Sequence, residues 1–185
     1  MTNGRLPFPI TLTGNGLVLR ERRPDDLDDL VELLDEADVA RWTPITSPFD
    51  VAAGIAYLKR ASDARTTGQR IQLAITTDGE RPLGEMLLFA HDTERREAEL
   101  GYLVGAAHRG RGLAARGLAL LSGYAESELG LVRLLLRIDP GNSASRAVAR
   151  RCGYRLAGEP SIPQDRPDGP STLETWERRT GSKAP

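Results

Sequence analysis

A stretch in the middle of the chain, where an apolar run meets a glycine-rich loop, constrains the fold more than any other feature. Residues 97–104 form an apolar run of strand length, and the loop that follows contains Gly105, Gly110 and Gly112 before a long helical pattern begins. Glycines let a backbone come close to a ligand, and the free amides at the start of a helix attract anions. The pattern predicts a strand, a phosphate-binding loop and a helix in succession.

The sequence before this loop predicts an antiparallel meander. Residues 69–76 alternate between apolar and polar side chains, and an Asp-Gly turn of the hairpin kind follows at 78–79. The predicted strands cover residues 17–22, 69–76, 82–90 and 97–104, and the predicted helices cover residues 24–34 and 51–66.

Beyond the loop the pattern changes to alternating helices and strands. The predicted elements are a helix over residues 112–129, a strand over 132–138, a helix over 143–152 and strands over 154–156 and 172–178. Residues 158–171 carry four prolines and are predicted to form a long loop. This order after a meander indicates an α/β fold (α+β) with a mixed sheet.

At 185 residues the chain is expected to form one domain. Residues 1–14 contain two prolines and no periodicity, so we expect a flexible N-terminal arm there. A single domain is expected over residues 15–180 and a C-terminal tail over 181–185.

Composition excludes several classes of protein. The net charge of −1 argues against nucleic-acid binding, and the apolar runs are shorter than the ~18 residues of a membrane span. One cysteine and two histidines make a zinc site unexpected, and a single cysteine suits a reducing cytoplasm.

The charges are unevenly distributed along the chain. Residues 100–125 and 140–158 contain arginines but no acids, which favours a local anion site. The eight acids between residues 25 and 38 are expected to have a structural role.

Two other phosphate-binding motifs fit the loop poorly. Gly110-x-Gly112-x-x-Ala115 matches a dinucleotide fingerprint, but its first glycine lies six residues beyond the end of the strand, and only 73 residues follow Gly112. A P-loop is excluded because the chain has no Gly-Lys-Ser/Thr. A nicotinamide-dependent enzyme is therefore a distant alternative.

Two motifs resemble a known family. Residues 108–114 (HRGRGLA), preceded by AELGY at 98–102, resemble the acetyl-CoA loop of GNAT-type N-acetyltransferases. Residues 142–145 (NSAS), with VA at 148–149 and CGY at 152–154, are similar to the Asn-x-x-Ser…Gly-aromatic segment of the ribosomal-protein N-terminal acetyltransferase (RimJ/RimL) branch. The resemblance implies a GNAT-like fold, with an antiparallel meander, parallel strands that splay apart at the cofactor site, and flanking helices.

The resemblance also implies which residues bind acetyl-CoA. Leu103 and Val104 would offer backbone hydrogen bonds to the pantetheine arm, and Asn142 would bond to the same arm. The pyrophosphate would be held by the loop amides, with added charge from two arginine side chains: Arg109, Gly110, Arg111, Gly112, Leu113 and Ala114. No metal is implied.

The expected chemistry is direct transfer of an acetyl group to a primary amine. Many relatives carry a tyrosine as general acid where this chain has Ala149, which leaves Ser145, near the thioester sulfur, as the proton donor. Glu99 is the first candidate for the general base because its strand leads into the acetyl-CoA loop. Glu85 is the second candidate and Asp165 the third.

The predicted function is an acetyl-CoA-dependent N-acetyltransferase acting on a protein N-terminus or a small amine. A non-catalytic CoA- or acyl-CoA-binding module is the alternative, motivated by Ala149. The loops at 40–50 and 158–171 carry no signature of the acceptor. A homodimer is compatible with the sequence.

Overall fold

The computed structural model describes residues 6–45, 47–164 and 169–180. Nine strands in this part of the chain form a mixed sheet, in the order β1-β2-β3-β4-β5-β6-β9-β7, with β8 paired to β9. The strands are β1 (Thr11–Gly14), β2 (Leu17–Glu21), β3 (Ile71–Thr76), β4 (Gly84–Asp92), β5 (Glu97–Val104), β6 (Arg133–Ile138), β7 (Arg155–Leu156), β8 (Ile162–Gln164) and β9 (Ser171–Arg179).

Five α-helices flank the sheet in the described residues. They are α1 (Leu27–Leu34), α2 (Ala37–Trp42), α3 (Val51–Thr66), α4 (Leu113–Ser127) and α5 (Ser143–Arg151). Helix α3 begins at the residue predicted because the Asp50 side chain caps it, accepting the Ala53 N–H at 2.9 Å. None of these helices combines the length and the apolar character needed to cross a lipid bilayer. The predicted mixed α/β class is confirmed.

Each face of the sheet packs against its own group of helices. On one face the side chains of β2–β6 pack with α4 and α5 into the main core, which includes Leu73, Met86 and Leu100. On the other face a smaller cluster from α1, α2 and the start of α3 packs against Leu103 of β5. Side chains of β5 therefore alternate between the two cores.

The parallel strands β5 and β6 pair only at their beginnings. Their register joins Glu97 to Arg133 and ends at Glu99, opposite Leu135. Strand β5 continues five residues further, to Val104, and remains paired with β4 on its other side. The two strands thus separate toward their carboxyl ends and leave a cleft, as the resemblance implies.

The N-terminal segment differs from the expected arm. Residues 1–5 lie outside the described residues, but Thr11–Gly14 pairs with β2 and Leu6 is 3% exposed. The signal missed in the sequence is Asn15-Gly16, whose φ values of 54° and 68° match a two-residue hairpin turn. The expected tail at 181–185 lies outside the described residues.

The long loop at 158–171 also contains more structure than expected. Strand β8 lies within it and pairs with the start of β9, from Gln164 opposite Ser171 to Ile162 opposite Leu173. Residues 165–168 lie outside the described part of the chain.

The acidic run between residues 25 and 38 has the structural role predicted for it. Six of its eight acids bind a cation or an amide elsewhere in the fold: Asp26 with Arg20, Asp29 and Glu32 with Arg81, Asp35 with the Phe49 N–H, and Glu36 and Asp38 with Arg109. These ion pairs and this hydrogen bond hold α1 and α2 against the sheet and the glycine-rich loop.

We expect Gly84→Ala to destabilise the sheet beside the cleft. A methyl group at Gly84 would overlap the Leu103 carbonyl oxygen and lie 3.1 Å from the Val104 Cα, and backbone atoms cannot move aside without separating β4 from β5. The expected loss is about 1–3 kcal/mol in free energy of unfolding.

Gly123→Ala in α4 is the matched control for Gly84→Ala. It has open space for the methyl group and should gain roughly 0.5–1 kcal/mol. Equal urea midpoints for the two variants would contradict the prediction.

Candidate active site

The free edge of β5 is defined by the alternation of its backbone groups. The Gly105 N–H donates to the Leu83 carbonyl, on the β4 side, at 3.2 Å. Successive residues point their N–H and C=O groups to opposite sides of a strand, so Leu103 also faces β4. The backbone N–H and C=O groups of Tyr102 and Val104 therefore face the cleft. The register therefore favours Tyr102 and Val104 for backbone bonds to a ligand, and the prediction for Leu103 is corrected.

The glycine-rich loop leaves an open surface at the start of α4. Gly110 and Gly112 have φ values of 75° and 70°, and a methyl group added to either would meet no atom within 4 Å. Gly112 directly precedes α4, whose first amides have no partner within the helix. Such an open loop with free helix amides has room for a diphosphate along the backbone from residues 109 to 114, which stays a prediction.

The two arginines of the loop behave differently. The Arg109 guanidinium binds Glu36 at 2.9 Å and Asp38 at 2.6 Å, and its Nε donates to the Val104 carbonyl at 3.1 Å. Its charge is therefore engaged by α2 and the residue before it, contrary to the expectation that it adds to the phosphate site. Arg111 is exposed and has no ion pair within the described residues, so its side chain stays a candidate phosphate ligand.

The opposite side of the cleft is the first turn of α5. Asn142 caps this helix, its Oδ1 accepting the Ser145 N–H at 3.0 Å, which leaves its amide NH2 group to reach a ligand. The Ser145 side chain is half-buried, and its hydroxyl makes no hydrogen bond to any residue that the structure describes. A local backbone bond would have indicated a purely structural serine, and none is present.

Tyr102 joins the two sides of the cleft. Its hydroxyl donates to the Ser145 backbone carbonyl at 3.0 Å, and burial raises the pKa of this phenol. Ala149, the position at which the resemblance implies a tyrosine in many relatives, is fully buried in the main core. Sequence reasoning missed Tyr102, although the AELGY motif contains it.

Glu99 lies where β5 and β6 separate. Its carboxylate is 3.5 Å from the Arg137 guanidinium, which also hydrogen-bonds the Thr175 hydroxyl on β9. Burial raises the pKa of Glu99 above its ordinary value, although the positive charge of Arg137 opposes the shift. A half-buried carboxylate with a raised pKa at the vertex of the cleft has the properties of a general base.

Glu85 has a different environment and does not suit the role of a base. Its side chain is 1% exposed and accepts hydrogen bonds from Arg22 at 2.8 Å, Gln72 at 2.9 Å and the Tyr57 hydroxyl at 2.6 Å. Burial, and then the charge of Glu85, raise the pKa of Tyr57 well above its ordinary value. All of this makes Glu85 a structural anion, which removes it as the second candidate base.

The other candidate groups add no chemistry to the cleft. Asp165, the third candidate base, lies outside the described residues. Cys152 packs in the main core, donates to the Ala115 carbonyl at 3.2 Å, and has a pKa raised by burial, as expected of an unreactive thiol. No group of three or more potential metal ligands occurs within the described ranges.

The fold and the cleft together define a class of protein. Parallel strands that separate, a free strand edge in the gap and an anion-binding loop before a helix make a site for an extended thioester with a diphosphate, which is the architecture of an acetyl-CoA-dependent acyltransferase. The chain belongs to the acetyltransferase (GNAT) domain family, whose model matches residues 16–155. It is an acetyl-CoA-dependent N-acetyltransferase, as predicted.

Individual proteins similar to this chain in sequence or fold are also acetyltransferases by name. The chain is 26% identical over 149 residues to the protein named Uncharacterized N-acetyltransferase p20 of Bacillus licheniformis, covering 80% of this chain and 84% of the relative. Its fold is similar to that of Mycobacterium smegmatis RimJ in complex with CoA-disulfide, with a TM-score of 0.78, 22% identity and coverage of 97% and 90%. The fold is also similar to that of the ribosomal-protein-S5-alanine acetyltransferase of Vibrio fischeri, with a TM-score of 0.79 and 13% identity. This match covers 94% of this chain and 99% of that one.

Proposed function

We propose that this enzyme acetylates the α-amino group of a protein N-terminus, with Glu99 as general base and Ser145 as general acid. The observation that carries the proposal is the end of β5–β6 pairing at Glu99 and Leu135. It leaves a carboxylate at the vertex of the cleft, while α5 supplies an unbonded hydroxyl from the opposite side.

Glu99 prepares the acceptor. The amine must be neutral to attack the thioester carbonyl, and an α-amine with a pKa of about 7.7–8.0 is partly neutral near pH 7. Glu99 accepts the proton that the amine loses as the new C–N bond forms. Its raised pKa brings it closer to the operating pH than an ordinary glutamate would be.

The strand and α5 stabilise the charges that develop elsewhere. The Val104 N–H faces the cleft and is the candidate donor to the oxyanion formed when the amine attacks. When the C–S bond breaks, the Ser145 hydroxyl donates its proton to the departing thiolate and takes up a proton from solvent, while Glu99 releases to solvent the proton it took from the amine. Tyr102 positions Ser145 for this step through its bond to the Ser145 carbonyl.

The protein N-terminus as acceptor is supported by the fold similarity to RimJ and to a ribosomal-protein acetyltransferase. The acidic run is not used as support for a cationic acceptor, because five of its eight acids are already held in ion pairs with three arginines of the fold. A non-catalytic CoA-binding module is not favoured, since Glu99 and Ser145 remain available for proton transfer. A cytoplasmic location and a homodimer remain part of the proposal.

The first test measures the thermal stability of the wild type with saturating acetyl-CoA, CoA and NAD. A ligand at 100 times its dissociation constant should add about 2.7 kcal/mol of stability. Stabilisation by both CoA species and not by NAD is the expected result. A peptide with a free N-terminus and a set of small amines would then be compared by thiol release, and preference for the small amines would overturn the proposed acceptor.

Ser145→Ala should lose about 10²-fold in kcat while keeping the stabilisation by acetyl-CoA, because only the proton donor is removed. Ser143→Ala, an exposed serine in the same turn, is the matched control and should keep wild-type turnover. Turnover of Ser145→Ala within threefold of the wild type would exclude Ser145 as the acid.

A further inference from the structure

The Arg109 side chain occupies the boundary between the cofactor loop and α2. Three of its nitrogens are engaged: Nε with the Val104 carbonyl on the cleft edge, Nη2 with Glu36 and Nη1 with Asp38. Glu36 also accepts the Ala106 N–H at 2.7 Å, within the same loop. Glu36 directly precedes α2, yet its side chain makes no cap bond to that helix and binds the loop instead.

Helix α2 contacts both sides of the cleft. Its N-terminal end is held by the ion pairs of Glu36 and Asp38 with Arg109, which itself donates to the Val104 carbonyl at the end of β5. At its C-terminal end a methyl group on Gly141, in the turn after β6, would lie 3.6 Å from the Trp42 ring. Between them Val39 belongs to the apolar cluster that packs against Leu103. A helix of six residues spans about 9 Å, so α2 lies across the mouth of the cleft from one strand end to the other.

We propose that Arg109 is a positioning residue that couples occupation of the acetyl-CoA cleft to the placement of α2, and through α2 to the acceptor. The inference rests on the acetyl-CoA site described above. A ligand that binds along the edge of β5 and at residues 109–114 fixes the Val104 carbonyl and the loop backbone. Arg109 donates to the Val104 carbonyl, and Glu36 accepts from the loop amide of Ala106 and from Arg109, so α2 is fixed with the loop.

The competing role for Arg109 is that of a phosphate ligand. A phosphate ligand would contribute to CoA affinity directly and would make that affinity depend on salt. A positioning residue would leave CoA affinity nearly unchanged and alter what happens at α2. Arg111, in the same loop and without an ion pair, is the matched comparison.

The experiment measures amide hydrogen exchange over residues 37–42 with and without CoA, and CoA affinity by calorimetry. The variants are Arg109→Gln, Arg109→Lys, Glu36→Gln, the Arg109→Gln/Glu36→Gln double variant and Arg111→Gln. In the wild type CoA should slow exchange in α2 about tenfold, within the range typical of coupled sites. In Arg109→Gln the slowing should fall below about twofold, whereas the CoA dissociation constant should change less than about threefold.

The other variants separate coupling from general damage. Glu36→Gln should reproduce Arg109→Gln, and the double variant should show no further loss, because both changes remove one connection. Arg109→Lys should restore part of the protection. Arg109→Gln should also raise KM for the acceptor with little change in kcat. Arg111→Gln should weaken CoA binding about tenfold, a loss of about 1.4 kcal/mol in binding free energy. It should leave the protection of α2 by CoA unchanged.

Several results would overturn the coupling. One is loss of CoA affinity in Arg109→Gln equal to that in Arg111→Gln, with a weaker salt dependence. Another is full protection of α2 by CoA in Arg109→Gln, or a wild type that binds CoA without protecting α2. Failure of the wild type to bind CoA would instead refute the cofactor site itself.

Discussion

Replacing Glu99 with glutamine is expected to lower kcat/KM for the acceptor by at least about 10²-fold, since a general base contributes about 10²–10⁴-fold. The glutamine keeps the shape of the side chain and cannot accept a proton. CoA affinity should stay within threefold of the wild-type value, because Glu99 lies at the vertex of the cleft and away from the loop at 109–114.

The pH profile gives the sharper result for Glu99. Burial raises the pKa of this carboxyl, so it is protonated and inactive as a base below that pKa and active above it. Activity in the wild type should therefore fall as the pH drops through the raised pKa of Glu99. The Glu99→Gln variant should lose this limb and retain only the limb that belongs to the amine.

Glu97 provides the control for Glu99. It lies two residues earlier on β5, on the same face, and binds Arg133 at 3.2 Å as Glu99 binds Arg137. Glu97→Gln removes a comparable ion pair next to the cleft and should leave the pH profile unchanged. Equal losses of turnover in the two variants would indicate that the charge network, and not a base at Glu99, supports activity.

Replacing Glu85 with glutamine is expected to destabilise the fold by about 3–5 kcal/mol. The change removes the negative charge from a site where Arg22 is 4% exposed and the Glu85 carboxylate 1% exposed. A buried guanidinium is then left without its counter-charge, and one of its nitrogens, Nη1, already has no hydrogen-bond partner. Since small domains have only about 5–15 kcal/mol of stability, the loss should be plain in urea unfolding.

The control for Glu85 is Glu80→Gln, which removes an exposed ion pair with Arg23 and should cost less than about 1 kcal/mol. Measured on the folded fraction at low temperature, Glu85→Gln should keep kcat within about tenfold of the wild type, less than the effect of losing a base. A Glu85→Gln variant that is stable but inactive would return Glu85 to the list of candidate bases.

The elements around the cleft could be predicted well because local patterns determine them. Helix α3 and strand β5 have the predicted bounds, Val51–Thr66 and Glu97–Val104. Asp50 marks the start of the helix, and Gly105 marks the end of the strand. The order of strands and helices around the glycine-rich loop was sufficient to predict the mixed sheet, whereas the separation of its two parallel strands was implied only by the resemblance to the family.

The contacts between distant segments could not be predicted in this way. The choice between Leu103 and Tyr102 depends on strand register, which no local pattern of β5 reveals. The engagement of Arg109 by Glu36 and Asp38 joins residues about 70 positions apart. Two carboxylates on neighbouring strands, Glu99 and Glu85, are the first and second candidate bases in the sequence, and their partners in the fold distinguish a cleft carboxylate from a buried structural one.

The free edge of β5 has a consequence for the regulation of turnover. In the proposed function, that edge and the glycine-rich loop bind the pantetheine and diphosphate groups, which acetyl-CoA and CoA share. The free enzyme then gains nearly the same binding energy from product as from substrate, so CoA competes strongly for the cleft. The rate of acceptor modification would then depend on the ratio of acetyl-CoA to CoA around the enzyme. It would rise as a larger fraction of the CoA pool is acetylated.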